Sequence, residues 1–211
     1  MAAGQKDNST LSLKVSLRRN LLREIEKPVV LESHGGYGAI YERCYAHLVA
    51  EGVVFEKDPA KAAVLGRQRP TWAVYEADCV GALAAGVGGH LAVSFFDLDP
   101  YGEPWPVVDA IFGSKRPWPE RIAVVVNDGL RQNLRIAGGW KVASLEAMTA
   151  RYGNRALHDH YLEICREMLA EKAAQAGYGL SRWAGYYCGY GQMMTHYAAV
   201  LVRNAARSSL M

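Results

Sequence analysis

The sequence predicts a doubly wound α/β domain: a sheet of about seven strands, the last pair antiparallel, with helices on both faces. Three observations carry this expectation. Between Pro28 and Asp128 short apolar runs alternate with helical stretches, and parallel strands need such crossovers, which are right-handed. After Gly139 the rhythm stops, and a long helical pattern is followed by two aromatic runs joined near Gly189 and Gly191. The strand runs also end on acids, Glu32, Glu56 and Asp78, at the sheet edge where open parallel sheets bind ligands.

The elements follow in order. After about ten polar residues, Leu11, Leu13, Val15, Leu17, Leu21, Leu22 and Ile25 recur among Lys14, Arg18, Arg19 and Arg23. That pattern is an amphipathic helix within a basic N-terminal segment, residues 1–27. The helix is expected to pack on the domain with a solvated basic face, or to use that face on nucleic acid. Residues 28–211 form the domain proper. PVVLES is a strand, followed by a helix near Ala39 to Glu51; GVVFEKD precedes a helix from Pro59; WAVYEAD precedes Val80 to Leu83; LAVSFFDLD precedes Val107 to Phe112; RIAVVVND is the fifth strand. Residues 154–176 read as one long helix ended by Gly177 in a C-cap position. RWAGYYCGYG and MMTHYAAVLVRN close the sheet edge as an antiparallel pair.

Composition narrows the class. With 211 residues and 50% hydrophobic content the chain can bury one substantial core. A net charge of +3 argues neither for nor against nucleic acid. Cys44, Cys79, Cys165 and Cys188 form no C-x-x-C pair, which speaks against zinc ribbons, thioredoxin chemistry and a disulfide scaffold. No signal-peptide core occurs, nor a run of roughly 18 apolar residues that could span a membrane. A soluble, cytoplasmic protein with reduced thiols is expected.

The strand-end loops carry the chemistry. In LESHGGYGA, Glu32 is followed by Gly35, Gly36 and Gly38 before a helix, so the backbone can approach a ligand closely. Glu56 stands twenty positions past Gly36, where an acid accepts hydrogen bonds from ribose hydroxyls. Asp78 ends the third strand similarly; a single such acid is usually a helix cap, but three in register are harder to assign to capping alone. No phosphate-binding G-x-x-x-x-G-K-[ST] string occurs, and the dinucleotide fingerprint fails where its third glycine is Tyr41. An acid in the first turn repels a pyrophosphate but suits a ligand with a cationic amine or sulfonium. S-adenosylmethionine meets these demands.

LESHGGYG, FEKDP, YEAD and DLDPYG, in this order, resemble the successive motifs of Rossmann-type S-adenosylmethionine-dependent methyltransferases. More narrowly, DLDPYGEPWPVVDAIF resembles the D-x-D-P-F-G-S-P motif of the tRNA guanine-N2 dimethyltransferases; VVVND, RYGN and THYAAVLVR extend the likeness over residues 28–204. The resemblance implies that Glu32, Gly36 and Gly38 hold the methionine part of S-adenosyl-L-methionine, Glu56 its ribose and Asp78 its adenine; His34, inside the glycine loop, either touches the cofactor or is merely exposed. Asp97, the first aspartate of the motif, joins these cofactor residues. Asp99, Pro100 and Tyr101 form the catalytic turn, with tyrosine where the family has phenylalanine. The family's tRNA enzymes carry an additional C-terminal domain that grips tRNA and is not found after the last strand here. A helper protein or an oligomer is expected to supply that grip, and RNA is expected as substrate ahead of DNA.

The residue types suit the reaction. An exocyclic amine is a weak nucleophile because its lone pair is delocalised into the ring. Asp99 can accept its departing proton, the Pro100 carbonyl can accept a second N–H, and Tyr101 offers a stacking face. Alternatives remain at this point: a DNA adenine or cytosine amino-methyltransferase, a small-molecule or protein amine methyltransferase, a non-catalytic cofactor- or RNA-binding module, and a Rossmann dehydrogenase. DLDPYG alone could also be just a turn. Asn127 and Asp128, ending the fifth strand, either hydrogen-bond a substrate base or close a turn. His158 and His160 lie on different helix faces and make no metal pair, and His196 reads as structural. Trp105, Trp118, Trp140 and Trp183 read as packing residues.

Overall fold

The computed structural model describes residues 10–136 and 142–204. Its strands are β1 (Val29–Glu32), β2 (Glu51–Glu56), β3 (Ala73–Glu76), β4 (Phe95–Leu98), β5 (Arg121–Asp128), β6 (Tyr178–Cys188) and β7 (Met194–Arg203). They form one sheet in the order β3-β2-β1-β4-β5-β7-β6. The first five pair in parallel, and β7 runs antiparallel to β5 and β6. The winding direction reverses between β1 and β4, which opens the crevice where such sheets bind ligands.

The helices are α1 (Leu11–Leu22), α2 (Pro59–Gln68), α3 (Cys79–Ala84), α4 (Trp105–Gly113), α5 (Leu130–Ile136), α6 (Glu146–Asp159) and α7 (Tyr161–Gln175). Local chemistry sets their ends. Asp58 caps α2 by accepting from the Ala60 and Lys61 amides, with Pro59 in the first turn where a missing N–H costs nothing. Asp78 caps α3 through the Gly81 amide at 3.0 Å. Gly177, at φ +84°, turns the chain from α7 into β6.

Alternating side chains divide the core into two layers. On one face Leu31, Phe55, Phe96, Leu98, Val124, Val126 and Tyr197 pack with residues of α3, α4 and α7. On the other Val30, Val54, Phe95, Ala123, Val125 and Ala198 pack with Leu17 and Leu21 of α1 and Leu65 of α2. The N-terminal helix is thus part of the main core.

Two expected helices differ. In place of a helix over Ala39 to Glu51 there is a π-turn, Tyr41–Tyr45, closed by Ala46 N–H to Tyr41 O at 3.0 Å. The wider turn leaves Tyr41 and Tyr45 both facing Trp72, at ring-centroid distances of 5.2 and 5.9 Å. The helix expected over 154–176 is two helices that meet at His160, and Gly153 (φ +76°) interrupts the first. Trp140 lies outside the described residues. Among those described, no helix is long and apolar enough to cross a membrane.

Candidate active site

The pairing register aligns side chains in rows across each face of the sheet. On the α1 face, Val30, Phe95, Ala123 and Val200 make an apolar row. The next row toward the carboxyl ends holds Val54, Glu32, Asp97, Val125 and Ala198. The row beyond starts at Glu56 and, continued past the last paired residues of β1 and β4, takes in His34, Asp99, Asn127, His196 and Tyr186. Six polar or titratable side chains from different strands therefore line one edge.

Helix α1 lies over these rows, and Lys14 and Arg18 are one turn apart. A helical turn rises about 5.4 Å and two strand residues about 6.6 Å, so the two cations match Asp99 and Asp97. Arg18 is fully buried and bonds both oxygens of Asp97, the Nε contact being 2.7 Å. Tyr45 donates to the same carboxylate at 2.6 Å. Lys14 Nζ stands 3.0 Å from each oxygen of Asp99. Burial alone raises the Asp99 carboxyl, but Lys14 and Arg18 outweigh it and hold the pKa below the usual range.

Glu32 and Asp97, expected from the sequence as cofactor ligands, are in this structure closed into buried ion pairs. Glu32 pairs with the fully buried Arg69, whose guanidinium lies over the Tyr41 ring at 4.3 Å. Burial pushes the Glu32 carboxyl up to about 7 against the pull of Arg69. Both acids brace strand ends, and their arginine partners were not foreseen. The only sequence signal was the four-residue spacing of Lys14 and Arg18 on an amphipathic helix.

The glycine loop, Glu56, His34 and Asp78 do come together. Glu56 accepts from the Gly36 amide at 2.9 Å and from the Asp58 amide at 3.0 Å, fixing the loop to the end of β2. A Cβ at Gly36 would meet nothing within 4 Å, so the loop is open on that side, whereas one at Gly35 would collide with Leu65 and Val54. Burial lowers the pKa of His34, while the carboxylates of Asp99, Glu56 and Asp78 pull it up. That ring is thus within electrostatic reach of three acids at or just past the ends of β2, β3 and β4.

The turn after β4 presents the other predicted residues. Asp99 is partly exposed, Pro100 is half-buried and the Tyr101 ring is fully exposed at 108%. Gly102, at φ +107°, accepts a hydrogen bond from the Gly129 amide at 3.1 Å, which pins this turn to the start of α5. Asn127 is buried beside Asp99 and helps keep that carboxyl ionised. Asp128 faces the opposite layer, where it accepts from the Leu130 amide and from the hydroxyls of Tyr161 and Tyr197.

No family model matches the chain. It is 30% identical over 103 residues to a tRNA (guanine(26)-N(2))-dimethyltransferase of Thermoplasma volcanium, a match over 49% of this chain and 30% of that protein. Among solved structures it resembles Trm1 of Pyrococcus horikoshii, in complex with S-adenosyl-L-methionine, with a TM-score of 0.71 and 17% identity. That superposition covers 96% of this chain and 57% of the other. M. jannaschii TYW2 in complex with AdoMet follows at a TM-score of 0.57 and 13% identity, over 96% and 80% of the two chains. The putative methyltransferase yhhF of Escherichia coli superposes at 0.55 with 12% identity, over 97% and 89%. The chain thus spans only part of the length of the proteins it matches first. Its architecture is that of the Rossmann-like S-adenosylmethionine-dependent methyltransferases, and half of its sequence is related to a tRNA guanine-N2 dimethyltransferase.

Proposed function

We propose that the chain is an S-adenosylmethionine-dependent N-methyltransferase acting on an exocyclic amine of a nucleobase, with guanine-N2 in tRNA or another RNA as its target. The observation that carries this reading is the polar row at the strand ends. Asp99 stands in it between an open glycine loop with Glu56 and His34 on one side and Asn127 and His196 on the other.

The donor set fits the cofactor. Glu56 and Asp78 are acceptors suited to ribose hydroxyls and an adenine amine, and the open face of Gly36 admits a ligand against backbone. Carboxylates around the crevice favour a cationic ligand and disfavour a pyrophosphate. When bound, S-adenosylmethionine supplies an electrophilic methyl group on sulfur, which the amine nitrogen takes while the sulfur keeps the bonding electron pair.

The chain's own residues position the amine. Asp99 is held ionised, so it accepts one amine N–H in hydrogen bond and then the proton that must leave the nitrogen. The Pro100 carbonyl is the second acceptor, fixed in direction by a ring that locks φ. The exposed Tyr101 ring is the platform on which an unstacked base lies.

The test is to incubate the purified chain with methyl-labelled S-adenosylmethionine and, separately, bulk tRNA, genomic DNA and a protein extract. Label recovered as N2-methylated guanosine in tRNA is the expected result. Label in DNA or protein would replace the substrate, and bound S-adenosylhomocysteine without label in any pool would overturn the enzymatic reading.

A further inference from the structure

The acceptor half of the polar row contains buried atoms that the fold leaves unpaired. Asn127 is 2% exposed; no partner lies within 3.5 Å of its Oδ1 or Nδ2, although the amide stands near enough to Asp99 to help hold that carboxyl ionised. His196 is 0% exposed; its Nδ1 meets the Tyr186 hydroxyl at 3.3 Å, while its Nε2 has none. Buried polar groups are seldom left so, because each forfeits its hydrogen bonds to water. The β5–β7 pairing sets Asn127 directly opposite His196, and Asp99 is the neighbour of Asn127 in the same row. Several other buried atoms without partners have a different setting. Those of Arg69 and Arg116 belong to guanidiniums held over aromatic rings, and Thr195 alternates to the opposite face.

We infer that Asn127, with His196 beside it, reads the hydrogen-bonding edge of the acceptor base and determines its specificity. This rests on the proposed transfer to a nucleobase amine. A primary carboxamide offers an acceptor and a donor side by side, the complement of a ring N–H next to a carbonyl. Guanine carries that pair, N1–H and O6, immediately beyond the N2 amine directed at Asp99. In adenine and cytosine the ring nitrogen next to the amine is an acceptor, so one end of the Asn127 amide would face carbon or a second acceptor.

His196 supports this from the adjacent strand. Burial, with Lys14 and Arg18 nearby, drives its pKa down to about 4 against the pull of Asp99, so the ring is neutral. Its Nε2 is a second contact that adds no charge to a site taking a sulfonium. Lys14 currently occupies both Asp99 oxygens, and the acceptor amine takes its place as the base enters.

The experiment uses protein saturated with S-adenosylhomocysteine and titrates GMP and AMP by calorimetry and by 15N NMR. Wild type should prefer GMP by about tenfold or more, the effect of one unpaired buried hydrogen-bonding group. Asn127→Ala should lose that preference with S-adenosylhomocysteine affinity within about twofold, and His196→Gln should weaken GMP several-fold. Absence of GMP binding to wild type, or an unchanged GMP-to-AMP ratio in Asn127→Ala, would overturn the inference. Should that variant not fold, the Asn127 side-chain amide signal of wild type decides: it shifts on GMP binding, and an unmoved signal with GMP bound sinks the assignment. Labelling of bulk tRNA by the same preparations separates the two readings. Label with an unaltered base preference in the variant removes only the specificity role. Base reading through Asn127 with no label in any nucleic acid removes the methyl transfer and leaves the recognition.

Discussion

Lys14 Nζ stands 3.0 Å from each carboxylate oxygen of Asp99, on the group that would accept one N–H of an entering amine. Together with Arg18 and Asn127, the ion pair outweighs burial and keeps the carboxyl ionised, ready to accept a proton. Removing the cation takes away the strongest influence opposing burial, so the pKa should rise. In wild type the acid limb of kcat/KM for tRNA should lie at lower pH than in Lys14→Gln. A pH–rate profile with the same acid limb in both proteins would remove Lys14 from this role.

Asp99 and Glu56 should separate chemistry from cofactor binding. Asp99→Asn keeps the shape but cannot take a proton, so kcat should fall on the order of 10²–10⁴-fold while S-adenosylhomocysteine affinity stays within a few-fold. Glu56→Gln loses a charged acceptor that also fixes the Gly36 amide, and should weaken S-adenosylhomocysteine by roughly tenfold or more. Calorimetry on both variants checks the split, and equal turnover by Asp99→Asn would exclude it from proton transfer.

The strands, the antiparallel last pair and the location of the crevice were legible because they rest on local signals: apolar runs, turn glycines and capping aspartates. The π-turn at Tyr41–Tyr45 was not. Its residues fit a helical period, and what widens the turn is the distant Trp72 against which both tyrosines pack. Glu32 and Asp97 stood at the expected strand ends, yet their partners Arg69 and Arg18 are 37 and 79 residues away, so an acid facing a ligand and an acid in a buried pair look alike in sequence. Asn127 and His196 become neighbours only through the β5–β7 register, and a slip of one residue would turn either side chain to the other face.

The Arg18–Asp97 pair gives a stability prediction. Both groups are buried, so Arg18→Leu leaves a carboxylate with only the Tyr45 hydroxyl, which should cost about 3–5 kcal/mol. For a domain of this size that corresponds to roughly a 10 °C drop in Tm. The double variant Arg18→Leu with Asp97→Asn removes the stranded charge and should recover more than half of the loss. Thermal unfolding of the three proteins is the check, and a single-variant loss below about 1 kcal/mol would mean that the pair is not what holds α1 to β4.

Asp128 should make stability depend on pH. Burial pushes its carboxyl up to about 7, against the hydrogen bonds from the Leu130 amide and the Tyr161 and Tyr197 hydroxyls. The folded state therefore holds a proton that the unfolded chain releases near pH 4. The resulting stability is full below about pH 4, declines as pH rises toward 7 and is absent above. Glu32 acts in the same direction and the lowered His34 and His196 oppose it, so the informative quantity is a difference between proteins. Asp128→Asn is nearly isosteric and cannot ionise, and it should gain on wild type in Tm between pH 5 and pH 8. A gap that stays constant with pH would show that the native carboxyl is ionised throughout.

Tyr101 separates binding from folding most directly. Its ring is fully exposed and follows a turn held by the Gly129 to Gly102 hydrogen bond, so removing it should leave stability within about 0.5 kcal/mol. If a base stacks on it, Tyr101→Ala should lower kcat/KM for RNA by roughly 10- to 100-fold, the kinetic equivalent of about 1–3 kcal/mol of stacking. Tyr101→Phe retains the π-face and should restore most of that activity. The comparison must be made at fixed salt, because contacts to RNA phosphates weaken as ionic strength rises. Equal rates for Ala and wild type would leave Tyr101 as a turn residue and move the stacking surface elsewhere.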